Sequence, residues 1–216
     1  LIEENVDLIY GYPGGAIMPI YDALYHYQEK VKHVLVRHEQ GATHAADGYA
    51  RACGRPGVVL VTSGPGITNC VTGMATAHMD SIPMIVISGQ VSRQYVGSDA
   101  FQEADATGIT RPITKHNFLI DSRESIAEVF KKAFEIATTG RPGPVLIDIP
   151  KDLTDPNIKI DFKYPSKVKI RSYKPQKNDK QEKIDQAAKI LCSAKKPMIY
   201  TGGGIILGNA HKHLYK

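Results

Sequence analysis

The 216-residue chain has no stretch approaching the roughly eighteen consecutive apolar residues of a membrane-spanning helix. Its longest candidate, Ile82 to Ile87, is interrupted by Pro83 and has the length of a strand. No membrane partner is therefore expected. Cysteine is scarce: Cys53, Cys70 and Cys192 are odd in number and far apart, which fits neither a disulfide framework nor a zinc site. Buried thiols in a reducing compartment are the default, and a cytoplasmic protein is expected, with plastid or mitochondrion open for a eukaryotic parent that has lost a targeting peptide. Neither G-x-G-x-x-G nor G-x-x-x-x-G-K-[ST] occurs, so the usual nucleotide phosphate cradles are absent. G-x-S-x-G and H-E-x-x-H are missing too, which removes the commonest hydrolase readings. The chain does not open on Met, and Leu1 to Asn5 reads as the end of a helix capped by a left-handed Asn5, as in a fragment of a longer protein.

What is present is an ordinary globular composition, 42% hydrophobic and 23% charged. The length suits one good-sized domain and part of another. The net charge of +5 is uneven: residues 1–150 carry −4 and residues 151–216 carry +9. Lys159 to Lys183 mixes Lys with Pro, Asn, Gln and Asp, the pattern of a solvated linker; with no nucleic-acid-binding motif in sight, no nucleic-acid partner is expected.

Apolar runs alternate with helical patterns. Strands are expected at Val6–Tyr10, Val31–Val36, Val58–Val61, Met84–Ser88, weakly at Phe118–Ile120, and at Val145–Ile149. Helices are expected at Ile17–Tyr27, Glu39–Cys53, from Ser63-Gly64-Pro65-Gly66 through Met79, and at Ser125–Thr139, with Gly54 and Gly140 as stops. Strands this continuously apolar must be covered on both faces. The expected fold is α/β, a doubly wound parallel six-stranded sheet over residues 1–150. A linker over 151–180 follows, then the start of a second α/β domain at 181–216. That start comprises a helix at Gln181–Ala194 with Ile184, Ala187, Ala188 and Leu191 on one face, a strand at Pro197–Tyr200 and a tight turn at Gly202-Gly203-Gly204.

Ligands of open parallel sheets bind at the carboxyl ends of the strands. Four loops qualify: Gly14-Gly15, Glu39, Ser63-Gly64-Pro65-Gly66 and Gly89-Gln90. Each also has a purely structural explanation. Glycines are common in tight strand-to-helix turns, Glu39 suits the first turn of its own helix through the macrodipole, and Pro65 and Asn69 suit a turn and a cap.

Taken together the loops are more specific. Tyr12-Pro13-Gly14-Gly15-Ala16, Arg37-His38-Glu39-Gln40-Gly41-Ala42, Val61-Thr62-Ser63-Gly64-Pro65-Gly66 with Asn69, Asp99-Ala100-Phe101-Gln102-Glu103 and Gly140-Arg141-Pro142-Gly143-Pro144-Val145 resemble, in order and spacing, the amino-terminal region of the thiamine-diphosphate-dependent acetohydroxyacid (acetolactate) synthases. The likeness is to the large catalytic subunit and covers nearly the whole chain. The run at 99–103 separates this family from other thiamine enzymes such as pyruvate oxidase or benzoylformate decarboxylase.

The resemblance implies a pyrimidine-binding domain in which Glu39 hydrogen-bonds N1′ of the cofactor's aminopyrimidine and promotes the imino tautomer that deprotonates C2 of the thiazolium. It implies that Tyr12, Thr62, Pro65, Asn69 and Gln102 line the cofactor and that the Gly15 N–H faces a developing oxyanion. Phe101 and Gln102 would border the approach of the second ketoacid, with Lys151 at the channel mouth and Arg141, Gly202, Gly203 and Gly204 against FAD. Solvated Lys151 and a bare turn at Gly202–Gly204 stay open as alternatives. The reaction implied is decarboxylation of pyruvate and transfer of the hydroxyethyl unit to pyruvate or 2-oxobutyrate, on the route to valine, leucine and isoleucine. The diphosphate and Mg²⁺ would be held by a later domain of a partner subunit through a Gly-Asp-Gly motif that this sequence lacks, so no metal ligand is expected here and the fragment alone is expected to be inactive. Partners implied are a second copy of the chain and a small regulatory subunit. Two other readings compete: another thiamine carboligase or decarboxylase, and a non-catalytic flavin-binding module resting on Gly202–Gly204. Glyoxylate carboligase is disfavoured, because it resembles an exception lacking the glutamate at Glu39.

Overall fold

The computed structural model describes residues 1–175 and 180–215. Positions 176–179 of the expected linker, and residue 216, lie outside the described residues. Contacts divide the chain into two compact units, Leu1–Lys174 and Pro175–Lys216.

The first unit is built on β1 (Leu8–Tyr12), β2 (Lys32–Leu35), β3 (Gly57–Val61), β4 (Met84–Gln90), β5 (His116–Leu119) and β6 (Pro144–Pro150). They form one sheet in the order β2-β1-β3-β4-β6-β5, every pair parallel, as expected for the doubly wound fold. β3, β4 and β6 are buried along their whole length, while the edge strands β2 and β5 are partly open. The first strand begins two residues later than its apolar pattern suggests. The left-handed Asn5 turns the chain, and Val6 is buried ahead of the ladder, whose register starts at Leu8↔Lys32.

The helices are α1 (Met18–Tyr25), α2 (Glu39–Cys53), α3 (Pro65–Thr68), α4 (Val71–Asp80), α5 (Ala106–Thr110) and α6 (Ile126–Thr138). Between parallel neighbours a right-handed crossover places its helix on one face or the other according to the direction of travel along the sheet. The chain steps outward from β1 to β2 and back from β5 to β6. Accordingly α1 and α6 pack on the face carrying Ile9, Leu60, Ile85 and Ile147, whereas α2, α4 and α5 pack on the face of Val59, Val61, Val86 and Leu146. The single helix expected through Met79 is broken into α3 and α4 at Asn69-Cys70.

Residues 151–174 do not run free as a linker. After a one-turn 3-10 helix at Lys151–Thr154 the segment packs back on the first unit, with Leu153 buried and Ile170 and Tyr173 against the core. Tyr164 donates to Glu4 Oε1 at 2.7 Å, and Tyr173 to the Thr139 carbonyl at 2.7 Å. The Pro and Lys content suggested solvation, yet scattered apolar and aromatic residues suffice to dock the strap.

The second unit contains α7 (Gln181–Ser193), α8 (Gly204–Leu207) and α9 (His211–Leu214). The strand expected at Pro197–Tyr200 is not formed: Met198 and Tyr200 are fully exposed, and a strand without a hydrogen-bonded neighbour gains nothing to offset its ordering. Gly202 and Gly203 lead into α8.

Candidate functional site

Because all six strands are parallel, the loops after β1, β2, β3, β4 and β6 leave one edge of the sheet. In this sheet order the chain leaves β1 towards β2 and β3 towards β4, in opposite directions, and it is at such a switch point that a ligand crevice is expected. Gly14 lies so close to Thr62 that a Cβ on it would sit 2.5 Å from the Thr62 Cβ, and the Ala16 N–H points to Thr62 Oγ1 at 3.4 Å. Above Gly15 there is open space: a Cβ added there would meet nothing within 4 Å.

Glu39 stands at the first turn of α2, whose limits match the expected Glu39–Cys53, with the left-handed Gly54 as its cap. It does not cap its own helix. That role belongs to His38, whose Nδ1 accepts from the Gln40 N–H at 3.1 Å. The Glu39 carboxylate is only 8% exposed, and its Oε2 accepts from Asn69 Nδ2 at 2.9 Å across the crevice. Asn69 occupies the break between α3 and α4, and that break aims its amide at Glu39. Among the described residues Oε1 accepts no hydrogen bond, and it is not sealed off, which leaves it open to a ligand donor. Pro65, at the first position of α3, is exposed beside it.

The loop after β4 carries Phe101 and Gln102 to the same edge. Phe101 is 89% exposed, and Gln102 takes a left-handed φ of 57°. Glu103 folds the loop on itself, accepting from the N–H groups of Gly97 and Ala100, and these bonds hold its carboxyl below the usual range. Gly64, at φ 55° and ψ −113°, lets the loop approach: a Cβ there would lie 2.6 Å from the Gln102 carbonyl oxygen. That backbone region is open essentially to glycine alone.

One group escaped the sequence reading. Asp148 sits in the middle of the apolar run of β6, 1% exposed, with Ser88 Oγ donating to its Oδ1 at 2.5 Å and Gln90 Nε2 to its Oδ2 at 2.9 Å. The available signal was the charge itself, since a carboxylate inside an otherwise apolar central strand needs a reason. Burial pushes its pKa up to about 7, against the pull of the Ser88 and Gln90 hydrogen bonds. A carboxyl whose folded pKa lies above its unfolded value costs nothing at pH below about 4, where both states are protonated. It destabilises the fold progressively as pH rises towards 7 and fully beyond. That difference corresponds to on the order of 4 kcal/mol. Asp148→Asn is therefore expected to lose less stability than the parent between pH 5 and 8, read from urea midpoints at each pH. Identical slopes for the two proteins would contradict the assignment.

Lys151 follows β6 and is exposed at the same edge. Arg141 is not there. It precedes β6 and donates to Ser81 Oγ at 2.7 Å and to the carbonyls of His78 and Met79 at 3.2 and 3.1 Å, closing the end of α4 at the opposite edge of the sheet. Gly202, Gly203 and Gly204 belong to the second unit, where all three are exposed. Tyr12, Gly15, Glu39, Thr62, Pro65, Asn69, Phe101, Gln102 and Lys151 are thus brought to one edge, and Arg141 is separated from them.

Residues 1–109 match the N-terminal TPP-binding domain of thiamine pyrophosphate enzymes. The chain is 58% identical over 214 residues to an acetolactate synthase large subunit of Buchnera aphidicola, covering 99% of this chain and 37% of that protein. It is 53% identical over 214 residues to acetolactate synthase isozyme 3 large subunit of Escherichia coli, again 99% and 37%. To a probable acetolactate synthase large subunit of Methanococcus aeolicus it is 53% identical, with 99% and 35% covered. The chain therefore spans little more than a third of these relatives. The family match takes in the Gly14-Gly15 turn, Glu39, Pro65, Asn69 and the loop to Gln102, the residues that meet at the crevice, and the chain belongs to the thiamine pyrophosphate enzymes, whose N-terminal cofactor-binding domain it carries.

Proposed function

We propose that this chain is the cofactor-activating part of an acetolactate synthase, which joins pyruvate to a second pyruvate or to 2-oxobutyrate. The observation that carries the reading is Glu39, a buried residue at the start of α2 with Oε2 held by Asn69 and, among the described residues, no partner on Oε1. The names of the relatives supply the reaction. Thiamine diphosphate, when bound, would supply a carbon centre that takes up a 2-oxoacid and retains the electron pair left behind when CO₂ departs.

The protein's own contribution follows from the residues. Glu39 would hold a ring nitrogen of the cofactor through its free carboxylate oxygen, in surroundings where a charge-assisted bond is stronger than in water. The Asn69 amide fixes the direction of that carboxylate. The open backbone at Gly15 leaves its N–H free to meet a developing negative oxygen, while Thr62 holds the neighbouring turn. Phe101 and Gln102 stand where an incoming ketoacid would pass, with Lys151 further out. Mg²⁺ and the diphosphate fall to residues outside this chain. A flavin contact at Arg141 has to share the guanidinium with the carbonyls of α4. Apolar side chains exposed at or near the crevice edge, among them Tyr12, Met18 and Phe101, support a second copy of the chain as partner. A small regulatory subunit and a cytoplasmic setting complete the proposal.

The test is acetolactate formation from pyruvate by the full-length protein, with thiamine diphosphate, Mg²⁺ and FAD omitted one at a time and 2-oxobutyrate added as competitor. Carboligation that requires thiamine diphosphate is expected. Release of CO₂ with acetaldehyde or acetate as the only product would assign a different thiamine enzyme. Flavin retention without turnover would favour the binding-module reading.

A further inference from the structure

The proposed site leaves Asp148 unused, although a buried carboxyl in a central strand is costly and a leucine would pack there at no such cost. Its partner Gln90, the last residue of β4, is 3% exposed and fully saturated. One hydrogen of Nε2 goes to Asp148 Oδ2 at 2.9 Å and the other to the Ala104 carbonyl at 3.0 Å, while Oε1 accepts from the Val91 N–H at 2.9 Å. The amide can satisfy all of these only one way round. Flipped, it would set Oε1 against the Ala104 carbonyl and leave the Val91 N–H facing a donor.

We propose that Asp148 is a positioning residue: through Gln90 it pins the carbonyl of Ala104 and so fixes where the 97–104 loop presents Phe101 and Gln102. The loop's other hydrogen bonds support this. Glu103 ties Gly97 and Ala100 within the loop itself, Ser98 bonds back to the carbonyl of Tyr95 in the turn just before the loop, the Ala104 carbonyl takes a second, local bond from the Ala106 N–H, and the approach to Gly64 is a backbone contact without a hydrogen bond. Among the described residues the Gln90–Ala104 bond is the side-chain tie that connects residues 97–104 to the sheet. Ser88, paired with Asp148 in the β4–β6 register, fixes the other carboxyl oxygen. Displacement of such an anchor passes directly to two outward-facing side chains, and a misplacement of about 1 Å at a reacting centre costs on the order of 100-fold. The inference rests on reading this edge as the cofactor site.

The experiment compares Asp148→Ala, Asp148→Asn and Gln90→Met in the full-length protein by amide hydrogen exchange without cofactor and by steady-state kinetics with it. Asp148→Ala and Gln90→Met are expected to speed exchange across 97–104 by about ten-fold while β3 and β4 keep their protection, and to lower kcat without weakening thiamine diphosphate binding. Asp148→Asn keeps an acceptor for Gln90, since Ser88 can reverse its hydroxyl, and is expected to stay within about 2-fold of the parent in both readouts. Exchange that rises equally in β3 and β4, or that does not rise at all, overturns the proposal, as does an Asn variant as impaired as the Ala variant. If Gln90→Met gives no soluble protein, the contrast between Ala and Asn at Asp148 decides. Full activity of Glu39→Gln would instead remove the cofactor-site reading and leave the exchange result standing.

Discussion

Glu39→Gln lowers turnover by about 100- to 10,000-fold, the range expected when a group that shares a proton with the reacting system is replaced by one that cannot carry the charge. The fold should survive the change. The helix keeps its cap through His38, and a glutamine fills the same volume. Two readouts separate the chemical role from the structural one. Exchange of the cofactor's C2 hydrogen, followed by NMR in the holoenzyme, should slow along with turnover, whereas the unfolding free energy from urea titration should move by less than about 1 kcal/mol, the worth of a first-turn charge. If turnover is preserved and only stability falls, Glu39 is a helix residue and nothing more. The burial of the carboxylate and its bond to Asn69 argue for the first outcome.

The second large effect concerns stability alone. Gly11 lies in β1 between Leu35 and Leu60 of the flanking strands, and a Cβ there would stand 2.1 Å from the Leu60 carbonyl oxygen and 2.5 Å from the Tyr21 hydroxyl. That hydroxyl donates to the same Leu60 carbonyl at 2.9 Å and lies 3.2 Å from His33 Nε2. The missing side chain is what allows Tyr21 of α1 to reach the sheet. Gly11→Ala should therefore cost about 3 to 5 kcal/mol, combining overpacking of a rigid strand with loss of a buried hydrogen bond. Total stabilities are about 5 to 15 kcal/mol, so soluble yield should fall as well. An unfolding free energy from urea titration within about 1 kcal/mol of the parent would mean that the two strands can part without penalty.

The sequence was informative where a local rule and the global fold agreed. Glu39 to Cys53 could be bounded to the residue because a carboxylate opens the helix and a left-handed glycine closes it. β3, β4 and β6 announced themselves as apolar runs because both their faces are covered. The loops at the strand ends followed from parallel topology once the strands were in place, whereas the site residues within them rested on the resemblance to the acetohydroxyacid synthases. Other parts were silent for physical reasons. The 97–104 loop is shaped by the left-handed Asp99 and Gln102 and by the Glu103 carboxylate bonding its own backbone, none of which leaves a periodic trace. Asp148 was hidden by counting β6 as apolar. The break at Asn69 that turns its amide towards Glu39 depends on the tertiary partner, since the local sequence would equally continue the helix.

The strap from Lys151 to Lys174 bears on how such a domain can be passed on. Glu4, near the start of the unit, accepts from Tyr164 and from Lys131 of α6 and so joins the first turn to a point well past the last strand. The alternating strand-and-helix pattern ends at Pro150, but the unit that holds together ends at Lys174. A gene rearrangement that broke at the end of the pattern would carry away the sheet without the lashing that ties its first turn to α6 and to the segment after β6. The heritable module is longer than its visible rhythm, and the poorly patterned stretch after the sheet has to travel with it.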